Sequence, residues 1–186
     1  MMLKKETRDA YCTLLHRELI PATGCTEPIA IAYAAALMRK TLGKLPERMQ
    51  VCVSGNIIKN AKSVVVPGTG GKKGIAAAAA AGAVAGESDR SLEVIDAITP
   101  DQREQIESYL KTAQIAVSCA EDGLTLDIRI TGFSGNDSAF VRIAGAHTNV
   151  VRVERNGDVL QDAPIAQAGN EDAAPSMLNT ADIVAF

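Results

Sequence analysis

The segment LTLDIRITGF, residues 124–133, indicates the fold class of this chain. Apolar Leu124, Leu126, Ile128 and Ile130 alternate with polar Thr125, Asp127, Arg129 and Thr131. A period of two is typical of an antiparallel strand that buries one face and leaves the other in contact with water. The segment therefore predicts a sheet whose apolar face is covered by other elements.

Further runs on both sides of this segment predict the rest of the sheet. They are MQVCVSG (49–55), KSVVVPGTGG (62–71), AQIAVSCA (113–120) and SAFVRIAG (138–145), which continues into HTNVVRVERNG (147–157). Each is rich in β-branched or alternating residues and is bounded by turn residues. Asn156-Gly157 favours a tight hairpin turn, since both residues tolerate positive φ.

Helical periodicity predicts five helices, at residues 5–19, 27–41, 74–85, 91–98 and 101–112. Thr26 is a predicted N-cap of the second helix and Gly43 ends it. TPDQREQ, residues 99–105, supplies a cap, a proline at the first helical position and acidic residues in the first turn. At the end of the chain, Ser176 is the predicted cap of a further helix.

The order of these elements predicts an α+β fold, with an N-terminal helical arm followed by a mixed helix and antiparallel-sheet domain. The arm comprises residues 1–45 and carries the cysteine turn, and the α+β domain comprises residues 46–160. Residues 161–186 are expected to form a linker and the truncated start of a C-terminal region, so that the 186 residues are a fragment of a longer polypeptide.

The composition of the chain argues against several classes of function. A net charge of −3, 3% aromatic residues and no Trp argue against a nucleic-acid partner, which requires a basic face or stacking residues. The most apolar run, residues 75–84, is shorter than the roughly 20 residues that cross a bilayer. Charged residues near the start leave no apolar core for a signal peptide. We therefore expect a cytoplasmic protein with no membrane partner.

Cysteine spacing predicts no metal site in this chain. The four cysteines are Cys12, Cys25, Cys52 and Cys119, and no two of them form a C-x-x-C pair. Zinc and iron–sulfur sites usually show such pairs. His16 lies one helical turn from Cys12, but two ligands do not make a site.

Cys25 lies in IPATGCTEPIAIAYAAA, residues 20–36, one residue before the predicted helix cap. A helix N-terminus can lower a thiol pKa well below its ordinary value of about 8.5. The functional interpretation is a poised thiolate that acts as base or nucleophile. The structural interpretation is a small residue that closes a helix–turn–helix corner. Neighbouring Thr23, Thr26 and Glu27 favour the first, because a packing corner does not need so many polar groups.

Three further stretches carry polar groups suited to a small ligand. SGNIIKNA, residues 54–61, places Ser54, Asn56, Lys59 and Asn60 at the end of a strand, where they could bind a carboxylate and an amine. PGTGGKKGI, residues 67–75, fits neither nucleotide-binding pattern but could bind a carboxylate through its N–H groups, with Gly70, Gly71 and Lys72. HTN offers His147, Thr148 and Asn149 as hydrogen-bonding groups. Each stretch also has a structural interpretation, as an ordinary turn or strand.

Taken in order, PATGCTEPIA, SGNIIKNAKSVVVPGTGGKKGI and HTNV resemble the L-cysteine desulfidase family, which is related to the α-chain of iron–sulfur L-serine dehydratases. The resemblance covers residues 18–156. It implies a lyase without pyridoxal phosphate that eliminates hydrogen sulfide from L-cysteine to give pyruvate and ammonia. On this basis Cys25 is the catalytic residue, as base or nucleophile, and the SGN and HTN residues contact the substrate.

The resemblance also implies a [4Fe–4S] cluster in the full-length protein, with its cysteine ligands C-terminal to this chain. The isolated chain is then expected to be inactive. The implied partners are a small amino acid, the C-terminal region of the same protein and, as an open alternative, a second copy of the chain. Two other functions remain open: elimination of water from L-serine, and a non-catalytic module that binds a small amino acid. A redox-sensor role for Cys25 would need a resolving thiol nearby.

Overall fold

The computed structural model describes residues 3–19, 21–121, 123–165 and 178–186. In chain order the elements are α1 (Lys5–Glu18), α2 (Thr26–Leu42), β1 (Arg48–Ser54), α3 (Gly55–Ala61), α4 (Gly74–Ala85), a 3-10 helix (Ser88–Glu93), α5 (Pro100–Thr112), β2 (Gln114–Ala120), β3 (Asp127–Ser134), β4 (Asp137–Ala144), β5 (Val150–Arg155), β6 (Asp158–Asp162) and α6 (Thr180–Ala185). The predicted α+β class is confirmed.

The strands form one sheet in the order β2-β1-β3-β4-β5-β6. The alternating segment that predicted the sheet becomes β3, which is hydrogen-bonded to β1 on one side and to β4 on the other. Antiparallel pairing holds everywhere except between β1 and β2, which run parallel. The sheet is therefore mixed, since α3, α4 and α5 lie in the chain between β1 and β2, as a parallel connection requires.

One face of the sheet carries the core. Val51, Ile130, Val141 and Val153 lie side by side across four strands, and all four are buried. Helix α2 packs on β3, β4 and β5, and α4 packs on α2. Burial of these apolar side chains stabilises the fold by about 25 cal/mol for each Å² removed from water.

The helices α2 and α4 approach each other unusually closely. A Cβ atom built at Gly82 would lie 2.0 Å from the carbonyl oxygen of Ala32. Glycine at this position, with alanines along both helices, lets the two backbones meet where a larger side chain would separate them. The alanine-rich run that follows Gly74 thus forms the helix predicted at 74–85, and most of its residues are buried.

Several local predictions are confirmed. Gly43 ends α2 in the left-handed conformation with φ 81°. The predicted cap of α5 is Thr99, which forms a capping box with Gln102, and Pro100 occupies the first helical position. Asn156 and Gly157, with φ of 52° and 89°, make the hairpin turn between β5 and β6.

Other local predictions are wrong. KSVVVPGTGG forms no regular strand and contributes one isolated bridge, between Val65 and Lys73. The turn predicted after β1 is instead α3, because Ile57 and Ala61, four residues apart, bury the same helical face. No α-helix forms at 91–98: residues 91–93 belong to the 3-10 helix, in which Ser91 has a φ of 50°, and residues 94–97 form a turn.

The ends of two other elements also differ from the prediction. The N-cap position of α2 is occupied by Cys25 and not by Thr26. Strand β6 crosses the boundary predicted at residue 160. Helix α6 is capped by Asn179, whose side chain accepts from the backbone N–H of Asp182 at 2.9 Å, whereas Ser176 lies outside the described residues.

Contacts group the chain into two compact units, Ala22–Ala166 and a smaller unit of Met1–Pro21 with Gln167–Phe186. The sequence-based division placed α2 in the N-terminal arm, whereas in the structure α2 packs on the sheet of the larger unit. In the smaller unit the ring of Phe186 meets that of Tyr11 edge-on, with centroids 5.4 Å apart. Among the described helices, none combines the length and apolarity needed to span a membrane.

Candidate functional site

The cysteine turn is fixed by two contacts from distant parts of the larger unit. The backbone N–H of Thr23 donates to the carbonyl of Leu92 at 3.2 Å. A Cβ atom at Gly24 would lie 3.3 Å from Cγ of Pro67, so the turn lies directly against the start of the glycine loop. These contacts hold Cys25 at the N-terminus of α2, where its side chain is exposed.

Glu27 is the centre of a small polar cluster at this helix end. The Cys25 thiol donates to Oε2 of Glu27, with Sγ 3.1 Å away, and the Thr26 hydroxyl lies 3.4 Å from the same oxygen. The side-chain amide of Asn60, on α3, donates to Oε1 at 3.1 Å. Both carboxylate oxygens are therefore held by hydrogen bonds, which fixes the orientation of the carboxylate toward the thiol.

The thiol is protonated in its resting state. Burial raises the pKa of Cys25, and the hydrogen bond to Glu27 and the negative charge of that carboxylate raise it further, against a lowering contribution from the Glu27 backbone N–H. The expected lowering of this pKa by the helix terminus is therefore wrong. Burial, with the hydrogen bond and the negative charge of Glu27, outweighs the lowering effect of the backbone N–H at this helix end.

The carboxyl group of Glu27 shows the opposite shift. Burial on its own would raise the pKa of Glu27, but hydrogen bonds from Cys25, from its own backbone and from Asn60, together with nearby His147, hold this pKa below its ordinary value. Burial lowers the pKa of His147, and the charge of Glu27 only partly opposes this. At neutral pH the cluster therefore contains a neutral thiol, a charged carboxylate and a neutral imidazole.

The structure thus brings together predicted site residues from three segments of the chain, Cys25, Thr26 and Glu27 from α2, Asn60 from α3, and His147 from the turn between β4 and β5. Thr23 contributes by anchoring the turn, since both its N–H and its hydroxyl face the Leu92 carbonyl. We call Cys25, Glu27, Asn60 and His147 the thiol–carboxylate cluster.

Other predicted site residues serve the fold. Ser54 is buried and donates to the carbonyl of Thr125 at 2.8 Å, tying the end of β1 to the segment that leads into β3. Asn149 donates to the Ala144 carbonyl at 2.8 Å, and the carbonyl of Thr148 accepts from Val150, so both close the turn that carries His147. The hydrogen bonds of these residues fix the segments that carry Asn60 and His147.

The glycine loop is a tightly packed turn. Gly70 and Gly71 both have positive φ, of 71° and 90°. The buried hydroxyl of Thr69 donates to the Val66 carbonyl at 2.7 Å, inside the loop. Lys72 pairs with Glu107 on α5 at 3.3 Å, so its charge is directed toward that helix. The loop contacts the cysteine turn through Pro67, whereas Lys72 already has an acidic partner.

Helix α3 presents the remaining predicted residues. Asn56 and Lys59 are exposed on it. Asn56 lies four residues before Asn60, so the two amides share one face of the helix. Asn56 therefore lies one helical turn from the amide that holds Glu27.

No group of three or more His, Cys, Asp or Glu side chains in the described part of the chain could hold a metal ion. The four cysteines are free thiols on separate elements, and Cys119 on β2 lies near Gly55, at the start of α3. These residues do not fit a [4Fe–4S] cluster. The predicted cluster remains a prediction about residues outside this chain.

Sequence reasoning named Glu27 but missed its central role. The spacing Cys25-x-Glu27, a cap residue and the second residue of its helix, was the available signal. The residues that hold the turn, Pro67 and Leu92, gave no signal, because they lie more than 40 positions away along the chain.

Comparison with known proteins finds relatives that share most of this chain. It is 42% identical to a UPF0597 protein of Desulfitobacterium hafniense and 39% identical to one of Treponema denticola; both matches cover all of this chain and 44% of the relative. A UPF0597 protein of Parabacteroides distasonis is 42% identical over 86% of this chain and 37% of its own length. The chain thus spans less than half the length of these relatives.

No family model and no solved structure matches the chain. The relatives compared above are all named UPF0597 proteins, and none of them is named a cysteine desulfidase. The assignment to the L-cysteine desulfidase family is therefore wrong. The chain is similar, over nearly its whole length, to one part of the UPF0597 proteins.

Proposed function

We propose that the thiol–carboxylate cluster is the proton-transfer centre of a lyase that acts on a small amino acid. The observation that carries this proposal is the 3.1 Å contact between Sγ of Cys25 and Oε2 of Glu27, with the other carboxylate oxygen held by Asn60. A proton donor and a proton acceptor are joined by one hydrogen bond at an exposed helix end, where a substrate can reach both.

Elimination of a β-substituent needs one group of each kind. In the proposed reaction a Glu27 oxygen takes the proton from Cα, and the electron pair of that C–H bond forms the Cα=Cβ double bond. The bond from Cβ to the leaving group breaks, and the leaving group takes the proton of the Cys25 thiol. The substrate has then lost its α-proton to Glu27 and its leaving group, which departs with the Cys25 proton as hydrogen sulfide or as water.

The hydrogen bond between the two residues returns the cluster to its resting state. After elimination Glu27 carries a proton and Cys25 is a thiolate. Transfer from carboxyl to thiolate is favourable, because the pKa of Cys25 is raised and that of Glu27 is lowered. The ordinary pKa values of a thiol and a carboxyl group already differ by about 4.2 units, roughly 5.7 kcal/mol. The same difference favours Glu27 over Cys25 as the base in the proposed reaction.

Asn60 and His147 are assigned supporting roles. Asn60 keeps Glu27 from rotating away from the thiol, and it is therefore a positioning residue. His147 is half-buried and neutral, so it can donate one hydrogen bond and accept another without adding charge. It is suited to contact a polar group of the substrate.

The substrate is proposed to be L-cysteine or L-serine, which differ at the leaving atom, and the product pyruvate and ammonia after hydrolysis of the enamine. The chain covers less than half of its relatives, so this activity belongs to the whole protein. A [4Fe–4S] cluster in the rest of that protein remains part of the proposal, and no step above depends on it.

The test follows the Cα proton in the full-length protein. L-Serine and L-cysteine are incubated in deuterium oxide under anaerobic conditions, while NMR follows loss of the α-proton and formation of pyruvate. We expect exchange or elimination with the wild type, and at least a roughly hundredfold slower reaction with Glu27→Gln. Cys25→Ala is expected to retain α-proton exchange while losing pyruvate. Full elimination by both variants would refute the proposal.

A second function, binding of a small amino acid without turnover, is favoured by one observation. Glu27 stays charged at neutral pH and its orientation is fixed, which suits recognition of an ammonium group. Calorimetry on the same samples separates the two functions. Saturable binding that Glu27→Gln abolishes, with no exchange of the α-proton in deuterium oxide, would favour the binding module.

A further inference from the structure

A cavity of about 480 Å³ lies at the opposite end of α2 from the thiol–carboxylate cluster. It is lined by residues of the last turn of α2 and the segment that follows it, of the end of α4 and of α5, namely Arg39, Lys40, Gly43, Lys44, Leu45, Ala83, Val84 and Gln105. Helix α2 has 17 residues and is therefore about 25 Å long, so this cavity is separate from the cluster.

The charged side chains that line the cavity are all positive. Arg39, Lys40 and Lys44 contribute three positive charges and Gln105 an amide, and none of the described residues that line the cavity is acidic. Leu45, Ala83 and Val84 supply an apolar wall. Cavities of this size hold small organic molecules, with a few polar groups that fix orientation. We propose that this cavity binds a small organic anion that carries two carboxylate groups on a short carbon chain.

Arg39 is the rigid element of this site. Its two terminal nitrogens donate to the carbonyls of Val84 at 3.1 Å and Gly86 at 2.7 Å, which connect α2 to the end of α4. A guanidinium has five N–H donors, so these two bonds leave donors for a ligand. Because it is held in place, Arg39 loses little side-chain freedom when a ligand binds.

The two lysines are paired outside the cavity. Lys40 contacts Asp89 at 2.6 Å and Lys44 contacts Asp137 at 2.8 Å, and neither carboxylate lines the cavity. The Asp89 side chain is 86% exposed, and exposed ion pairs of this kind contribute only about 0–1 kcal/mol. A ligand carboxylate can therefore replace Asp89 and Asp137. Cations near the C-terminus of α2 also favour its helix dipole, which accounts for their position without a ligand.

The test is equilibrium binding to the full-length protein, with succinate as probe and succinamide as its neutral counterpart. We expect saturable binding of succinate, weakened by added salt, and no binding of succinamide. The double variant K40Q/K44Q should bind succinate at least tenfold more weakly. The matched control K62Q/K111Q removes two exposed lysines that do not line the cavity and should bind like the wild type.

A second variant acts in the opposite direction. D89N/D137N removes the competing carboxylates while leaving every lining residue in place, and it should bind succinate two- to threefold more tightly. This variant keeps the test decisive if K40Q/K44Q folds poorly. Absence of saturable binding, equal weakening in both lysine variants, or equal binding of succinamide would overturn the proposal.

Discussion

Oε2 of Glu27 accepts a hydrogen bond from the thiol of Cys25, although Cys25 is the N-cap of α2 and Glu27 its second residue, at a helix end that attracts negative charge. A cysteine at such a position is usually activated toward the thiolate. Here the carboxylate is the group that the helix terminus stabilises. The thiol consequently keeps its proton, and the pair is suited to pass a proton between its two members.

The first prediction concerns the reactivity of Cys25. Glu27→Gln removes the negative charge that raises the pKa of this thiol, so its thiolate fraction at pH 7 should increase. We expect Cys25 to react with iodoacetamide about threefold faster or more, because the thiolate is the reactive form. Peptide mapping by mass spectrometry distinguishes Cys25 from the other cysteines. Glu107→Gln, whose carboxylate pairs with lysines, is the control, and an unchanged rate at Cys25 in Glu27→Gln would contradict the account.

The second prediction concerns the contact between α2 and α4. Gly82→Ala places a methyl group 2.0 Å from the Ala32 carbonyl, so the two helices must separate. The gain in helix propensity is about 1 kcal/mol, whereas overpacking costs about 3 kcal/mol or more at so short a distance. We expect a net loss of about 2 kcal/mol or more in unfolding free energy, measured by urea denaturation.

The control for this variant is Gly71→Ala. Gly71 has a positive φ of 90° but no heavy atom within 4 Å of a built Cβ, so it tests backbone strain alone. That strain costs about 1–2 kcal/mol. If Gly82→Ala were no more destabilising than Gly71→Ala, the two helices would not be in the contact described.

The third prediction concerns Asp127 on the outer face of the sheet. Its carboxylate is 1% exposed and accepts from the guanidinium groups of Arg129 at 2.6 Å and Arg142 at 2.9 Å. Asp127→Asn removes the negative charge, so the ion pairs of Asp127 with Arg129 and Arg142 are lost. We expect a loss of about 3 kcal/mol, at the lower end of the range for buried pairs, because both arginines are about one-quarter exposed.

Glu154→Gln is the matched control for Asp127→Asn. Glu154 accepts from Arg152 on the same face but is more exposed, so its loss should cost less than about 1 kcal/mol. Thermal and urea denaturation of both variants provide the comparison. Equal stability losses would mean that burial does not strengthen the Asp127 cluster.

The fourth prediction concerns alkaline pH. Burial raises the pKa of Tyr109 from 10.0 to about 12, and its hydroxyl donates to the Pro46 carbonyl at 2.6 Å. The folded state keeps this proton where the unfolded state loses it, so the contribution is complete below pH 10 and is lost as pH rises toward 12. Tyr109→Phe should be less stable by roughly 1–2 kcal/mol at pH 7.

The difference between Tyr109→Phe and the wild type should shrink between pH 10 and pH 12. Urea denaturation at a series of pH values measures it, and the other titrating groups are common to both proteins. A difference that stays constant across this range would show that the phenol is not buried as described.

Local features of this fold could be read from the sequence because neighbouring residues determine them. The alternation around Ile128 specifies β3, Thr99 and Gln102 specify the start of α5, and Gly43 specifies the end of α2. The turn predicted for segment 54–61 is wrong, because Ser and Gly, here Ser54 and Gly55, are typical turn residues, whereas the segment forms a helix. Burial of Ile57 and Ala61 against the rest of the fold decides for a helix there.

The thiol–carboxylate cluster could be predicted only in part. Cys25 and Glu27 are close in sequence, but the amide that orients Glu27 comes from Asn60, 33 positions later. His147 comes from another turn altogether. The raised pKa of Cys25 depends on the side-chain position of Glu27, which no propensity or spacing rule specifies.

The parallel pairing of β1 with β2 has a consequence for the order of folding. The register joins Ser54 to Ala120, so this pair closes a loop that contains α3, α4 and α5. The succession β3, β4, β5 and β6 needs only short turns, and loop-closure entropy therefore favours its formation first. Strand β2 is then the last strand to join the sheet. It lies at the edge of the sheet, where it anchors the helices that position the cluster.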